Sequence, residues 1–210
     1  MLLRNKKILI TSGPTWVAID DVRVISNIAT GQTGILLAKE LVRLGARVTL
    51  LLGPVDNCCL DKKIRLLRFK FFKDLKDILK RELTSKKFDF IIHNAAVSDF
   101  APQAIKGKIT STKAFSLNLK PLPKISGIIR RLAPKAKLTL FKLESGVSDN
   151  ILIKRAKAAR LEAKADFAAA NRLNPYRAFI ITEYEITNCL RSKKDLVNKL
   201  LLLLTNNLRT

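Results

Sequence analysis

KILITSGPTWVAIDDVRVISNIATGQTG, residues 7–34, is the stretch whose reading decides the fold. Lys7-Ile8-Leu9-Ile10-Thr11 is apolar and partly β-branched, the composition of a strand buried on both faces. Ser12-Gly13-Pro14-Thr15 breaks that strand. After a polar segment, Thr30-Gly31-Gln32-Thr33-Gly34 leads into residues 35–42, where apolar residues recur at helical spacing. A strand, a glycine-bearing loop and a helix starting at that loop offer free backbone N–H groups and a positive dipole end to an anion. The pattern predicts a phosphate site at the top of the first strand of a parallel α/β sheet. Gly31-x-x-Gly34 lacks the first glycine of G-x-G-x-x-G, and no G-x-x-x-x-G-K-[ST] occurs. Glycines at a helix start also serve plain helix–sheet packing.

Outward from this stretch, strands and helices alternate. Arg47–Leu52 reads as a strand stopped by Gly53-Pro54, and residues 64–69 as a short third strand. Residues 71–83 have a helical apolar face, and residues 88–92 form a strand ending in His93-Asn94-Ala95-Ala96. Residues 102–124, polar and lysine-rich, interrupt the pattern and are expected to form a flap or hairpin beside the site. Helix Ile125–Leu132, strand 138–143, helix 150–164, strands 166–170 and 178–182, and a helix 195–204 capped by Ser192 complete the chain. This order predicts one α/β domain over residues 1–210, a Rossmann-like, doubly wound, mostly parallel sheet whose ligands lie beyond the C-terminal strand ends.

Composition narrows the function. Lys+Arg 40 against Asp+Glu 17 gives a formal +23, a balance that attracts nucleic acid or a polyanionic small substrate. The basic residues are spread along the chain without a block, as expected where lysines decorate solvated faces. Aromatic residues make up only 6% and no nucleic-acid module is present, so no specific nucleic-acid partner is expected. Cys58, Cys59 and Cys189 have neither zinc-site nor disulfide spacing and suit a reducing cytoplasm. No segment has the length and apolarity of a membrane span or signal peptide.

Asn94-Ala95-Ala96 after a strand is similar to the N-A-G of short-chain dehydrogenases. That chemistry needs a lysine four residues after its tyrosine, to lower the phenol pKa. Ile180 follows Tyr176 at that spacing and Asn188 follows Tyr184, so the requirement fails.

Gly13-Pro14-Thr15, Asp20-x-Val22-Arg23, Ile25-Ser26-Asn27 and Thr30-Gly31-x-x-Gly34 together resemble the opening of phosphopantothenoylcysteine synthetase. This is the amide-forming half of the bifunctional coenzyme A biosynthesis flavoprotein. Further runs extend the resemblance: Ala95-Ala96-Val97-Ser98-Asp99-Phe100, Gly107-Lys108-Ile109, Pro121-x-Pro123-Lys124-Ile125, Phe141-Lys142-Leu143-Glu144 and Ala170-Asn171. It implies catalytic roles for Asn27 and Lys108. It implies nucleotide contacts from Ala95, Ala96, Asp99, Lys108, Pro123, Lys124, Ile125 and Phe141, and a substrate loop holding Gly13, Thr15, Arg23, Gly31 and Gly34. Lys157, Arg160 and Lys164 share one helix face, and the resemblance assigns the triphosphate to Arg160 and Lys164. The implied reaction joins phosphopantothenate and cysteine using a nucleoside triphosphate, CTP favoured over ATP. Mg²⁺ is expected with the nucleotide and its ligands are unassigned. A homodimer is implied, and the flavin-dependent decarboxylase half and its flavin are expected to be absent. Two features depart from the family: Leu140 replaces a glycine, and Arg172 stands where an aspartate is usual, before a shortened loop. The departures keep open a nucleotide-binding homologue with impaired activity, and the charge keeps open a basic nucleic-acid-binding protein.

Overall fold

The first strand, β1 (Lys7–Ser12), forms the centre of the sheet in a computed structural model that describes residues 2–55, 60–110 and 113–206. Cys58 and Cys59 lie outside the described residues. Ile8, Leu9 and Ile10 are fully buried, and alternation sends Leu9 into one core and Ile8 and Ile10 into the other. Burying such a side chain is worth about 1.5–3 kcal/mol, so a two-faced strand strongly favours a covered sheet.

The covering follows from the helices. On the Ile8 and Ile10 face lie α1 (Gln32–Arg43), contributing Leu37 and Leu41, and α5 (Lys193–Asn206), contributing Leu200 and Leu204. On the Leu9 face lie α2 (Phe72–Ser85), α3 (Ile125–Leu132) and α4 (Asp149–Glu162), contributing Leu75, Ile129 and Leu152. The remaining sheet strands are β4 (Arg47–Leu52), β5 (Arg65–Arg68), β6 (Phe90–His93), β9 (Lys137–Glu144), β10 (Phe167–Arg172) and β11 (Arg177–Ile181). The seven-stranded order is β11-β10-β9-β6-β1-β4-β5, parallel except for the β10–β11 pair. From β1 the chain moves first towards β4 and β5, then crosses back to β6 and β9. That reversal opens a crevice at the C-terminal ends of β1 and β6.

Two connections hold small antiparallel pairs, the first of which the sequence did not predict and the second of which lies in the segment expected to form a flap or hairpin. The loop after β1 folds into an antiparallel hairpin of β2 (Trp16–Ala18) and β3 (Val24–Ser26). The interruption at 102–124 is closed at its base by β7 (Phe100–Pro102) against β8 (Leu119–Pro121). Ser192 caps α5 as expected, its hydroxyl accepting from Asp195 N at 3.0 Å.

Candidate functional site

Glycines set the inner wall of the crevice. Gly13 has φ 80 and Gly31, the residue before α1, has φ 69, a region costly for residues with a Cβ. Ser12 Oγ donates to Gly31 O at 3.0 Å, tying the helix start to β1. A Cβ on Gly34 would run into Ser12 Oγ and Cβ, so Gly34 is a packing glycine that lets α1 sit against the strand. The first turn of α1 carries no acid and no side-chain cap, which leaves its N–H groups turned to the crevice, where Gly31, Gln32 and Thr33 line the wall.

The crevice is a cleft of about 890 Å³. Of the expected residues it gathers Gly13, Asn27, Gly31, Ala95, Ala96, Asp99, Pro123, Lys124, Ile125 and Phe141. Asn27 Nδ2 donates to Ala96 O at 3.0 Å, so the end of the first hairpin is pinned to the loop after β6. Lys124 Nζ lies 2.6 Å from Asp99 Oδ1 at an exposed lip, where the pair is worth little to stability and is free to rearrange around a ligand.

The other expected residues stand elsewhere, each for a physical reason. Thr15 is fully buried: its hydroxyl accepts from Ser98 N at 2.9 Å and joins the two loops. Arg23 donates to Asp20 Oδ2 at 2.6 Å and to Ile109 O at 3.1 Å, an interior clamp that does not face the cleft. Asp20 also accepts from the N–H groups of Ile109, Val22 and Arg23. The Ile109 N–H, with those of Val22 and Arg23, holds its carboxyl well below the usual range. Asp21 Oδ2 accepts from Gly107 N at 2.9 Å. Gly107-Lys108-Ile109 is thus fastened by its backbone to the tip of the first hairpin, and the Lys108 side chain is exposed and does not line the cleft.

Arg160 and Lys164 require the clearest correction. α4 ends at Glu162, so the helical spacing does not carry Lys164 onto the face of Arg160, and Ala159, Glu162 and Ala163 are the residues here that line the cleft. Arg160 turns back to donate to Ala165 O at 3.2 Å. Lys164 follows the helix with φ 49 and lies beside Arg130, Arg131 and Asp166.

Arg172 is accounted for by the same alternation. Asn171 lines the cleft, whereas Arg172 points to the α4 face and meets Asp149 at 3.0 Å. The unusual residue therefore leaves the cleft wall unaltered. Leu140, in the place of a glycine, is buried beside it.

Sequence reasoning passed over three cleft residues. Asn171 was quoted only as part of a motif. His93 ends β6 at the floor, with Nδ1 2.8 Å from Thr11 Oγ1. Burial lowers its pKa to about 4, so the imidazole is neutral at pH 7. Its place at a strand end beside the reversal was the available signal. Lys193, at the start of α5, donates to Gln32 Oε1 at 3.0 Å across 161 positions, and nothing local in the sequence announces it. No group of three His, Cys, Asp or Glu side chains that could hold a metal exists among the described residues.

An open, doubly wound sheet with a helix N-terminus, backbone-lined walls and cationic lips at its reversal point defines an α/β protein with a ligand cleft at its topological switch point. Residues 3–200 match the DNA/pantothenate metabolism flavoprotein C-terminal domain, and the chain belongs to that family. It is 32% identical over 176 residues to the coenzyme A biosynthesis bifunctional protein CoaBC of Thermococcus kodakarensis, covering 83% of this chain and 43% of the relative. Against the CoaBC of Borreliella burgdorferi the identity is 34% over 205 residues, covering 94% of this chain and 51% of the relative. The chain thus spans about half the length of these relatives. The crystal structure of the DNA/pantothenate metabolism flavoprotein from Streptococcus pneumoniae superposes with a TM-score of 0.86 at 26% identity, covering 96% of this chain and 99% of that one.

Proposed function

We propose that this chain is a phosphopantothenate–cysteine ligase that activates its carboxylate substrate as an acyl-nucleotide. The observation that carries the reading is the cleft itself: Asn27, pinned at one lip by Ala96, faces the Asp99–Lys124 pair, with the start of α1 between them. Membership of a family whose relatives are named for coenzyme A biosynthesis supports the choice of substrates.

In the first step a phosphopantothenate carboxylate oxygen attacks the α-phosphorus of the nucleotide, and pyrophosphate leaves. Both reactants are anions, so cations and backbone N–H groups aimed at the phosphates are what lower the barrier. Lys108 is assigned that charge in this reading, which requires its side chain, standing outside the cleft here, to be carried to the phosphates when they bind. In the second step the cysteine amine attacks the acyl carbon, the nucleoside monophosphate leaves, and the amine loses a proton to solvent. Asn27 orients the intermediate with its carboxamide, which both donates and accepts. Asp99 accepts from the ribose hydroxyls, and Ala95 and Ala96 let the nucleotide lie close to the backbone. CTP is the favoured nucleotide. The described residues do not build a metal cage, so a Mg²⁺ ion would be carried by the triphosphate oxygens.

The exposed apolar residues Val22, Ile28, Phe100, Ile105 and Phe115 on and beside the two hairpins support a homodimer. None of the described helices is long and apolar enough to cross a membrane, which accords with a cytoplasmic enzyme. Incubation with CTP or ATP, phosphopantothenate and cysteine should release pyrophosphate only when phosphopantothenate is present. Release that ignores phosphopantothenate, or no release with either nucleotide, would overturn the reading.

A further inference from the structure

Two adjacent carboxylates reach from the tip of the first hairpin to the segment that carries Lys108. Asp20 is only 4% exposed, and a carboxylate taken out of water to that degree is costly unless its oxygens are well partnered. Its Oδ1 accepts from Val22 N at 2.9 Å and Arg23 N at 2.6 Å, a local turn that an asparagine would also close. Its Oδ2 has a different use. It accepts from Ile109 N at 3.0 Å, across 89 positions, and from the Arg23 guanidinium at 2.6 Å, which also donates to Ile109 O. The Ile109 N–H is the largest of the contacts that hold this carboxyl well below the usual range.

Asp21 holds the other side of Lys108. Its Oδ2 accepts from Gly107 N at 2.9 Å, and its own N–H donates to Gly107 O at 3.2 Å. Nearby, Ile105 N donates to Ile19 O at 2.9 Å. The backbone is thus held on both sides of Lys108, while the exposed lysine side chain is bound by neither carboxylate. The hairpin that supplies both acids runs out of β3 into Asn27, which is pinned to Ala96. The two groups assigned to the chemistry therefore hang on one frame, although they are far apart in the chain.

We propose that Asp20 and Asp21 are positioning residues for Lys108: they fix its backbone to the hairpin that carries Asn27, so that only the lysine side chain has to swing to the phosphates. The proposal rests on the ligase reading for the role of Lys108. A lysine on a loose segment would have to be ordered each time the nucleotide bound, a cost in conformational entropy that the clamp removes beforehand.

A double-mutant cycle on pyrophosphate release tests this. Asp20→Asn keeps the size and the local turn but loses the second acceptor oxygen. It should lower kcat about a hundredfold, the scale of a small misplacement of a catalytic group, with the KM for phosphopantothenate within about twofold. Asp21→Ala, at an exposed position, should lower kcat about tenfold, as losing one hydrogen bond does. In a Lys108→Ala background either change should cost less than about twofold, because the group they position is gone. Amide exchange at Ile109 should quicken in Asp20→Asn while the amides of β1 keep their protection. Losses that multiply with that of Lys108→Ala would mark the acids as general supports and overturn the proposal, as would an unchanged kcat in Asp21→Ala. Should Asp20→Asn fail to fold, Asp21→Ala decides by the same two criteria. A parent that turns over while the losses multiply leaves the ligase reading standing, whereas a parent that releases no pyrophosphate sinks both.

Discussion

The crevice wall and the two hairpins meet at one cleft, but they are held in different ways. The wall is made of β1, β6 and the start of α1, where Ile8, Leu9, Ile10, Ile91 and Ile92 are fully buried and Gly34 permits close packing. The hairpins contain strands of only three residues, and their inner connections are hydrogen bonds: Asp20 to Ile109, Asp21 to Gly107, Asn27 to Ala96. Hydrophobic packing fixes the wall before any ligand arrives. A few polar contacts, each worth about 0.5–1.5 kcal/mol net, together with the packing of Val17, Ile25 and Ala101 on one core, set the hairpins. Under the proposed function, the rigid part would bind the nucleotide and the lightly held part would deliver the reacting groups.

The largest effect should come from the hairpin side. Replacing Lys108 with alanine should cut pyrophosphate release by about a thousandfold or more, the scale of losing one transition-state charge contact. The melting temperature should not move, because the side chain is exposed. A rate within tenfold of the parent would remove Lys108 from the chemistry and leave the hairpin a cover.

On the wall side, Gly34→Ala should destabilise the fold by about 1–3 kcal/mol, as overpacking does, because its methyl meets Ser12. Adding Ser12→Gly should recover much of that loss in a urea titration. An undisturbed Gly34→Ala protein would show that α1 is not seated against β1 as described.

The smallest effect is a pH dependence. His93 has a folded pKa of about 4 against 6.5 for the free group, so the unfolded chain binds more protons between those values. Stability from this group is complete above pH 6.5 and falls as pH drops from 6.5 to 4. Denaturant melts at pH 7 and 4.5 should show this decline, and His93→Gln should flatten it. A parallel decline in both proteins would assign it to other groups.

The same contrast explains what the sequence revealed. The wall was legible because its determinants are local and repetitive. Lys7–Ser12 and Arg47–Leu52 are continuous apolar runs, and Thr30-Gly31-Gln32-Thr33-Gly34 marks the helix start. Strand–helix alternation then predicted a doubly wound, mostly parallel sheet. The hairpin of β2 and β3 was not legible, since three-residue strands with mixed exposure carry no detectable period. Motif resemblance named Asn27, Asp99 and Phe141, which line the cleft, and also Arg160 and Lys164, which do not line it here. Helical periodicity says which residues share a face and is silent on which way the face turns or where the helix ends. Lys193 was hidden for the opposite reason. Its partner Gln32 is 161 positions away, and only the packing of α5 on α1 brings them together.

Isotope transfer tests the central claim most directly. Phosphopantothenate labelled with ¹⁸O in its carboxylate should pass one labelled oxygen to the nucleoside monophosphate, because attack on the α-phosphorus leaves that oxygen on phosphorus when cysteine displaces it. Monophosphate without label, or label appearing in inorganic phosphate or pyrophosphate, would contradict acyl-nucleotide chemistry in this cleft.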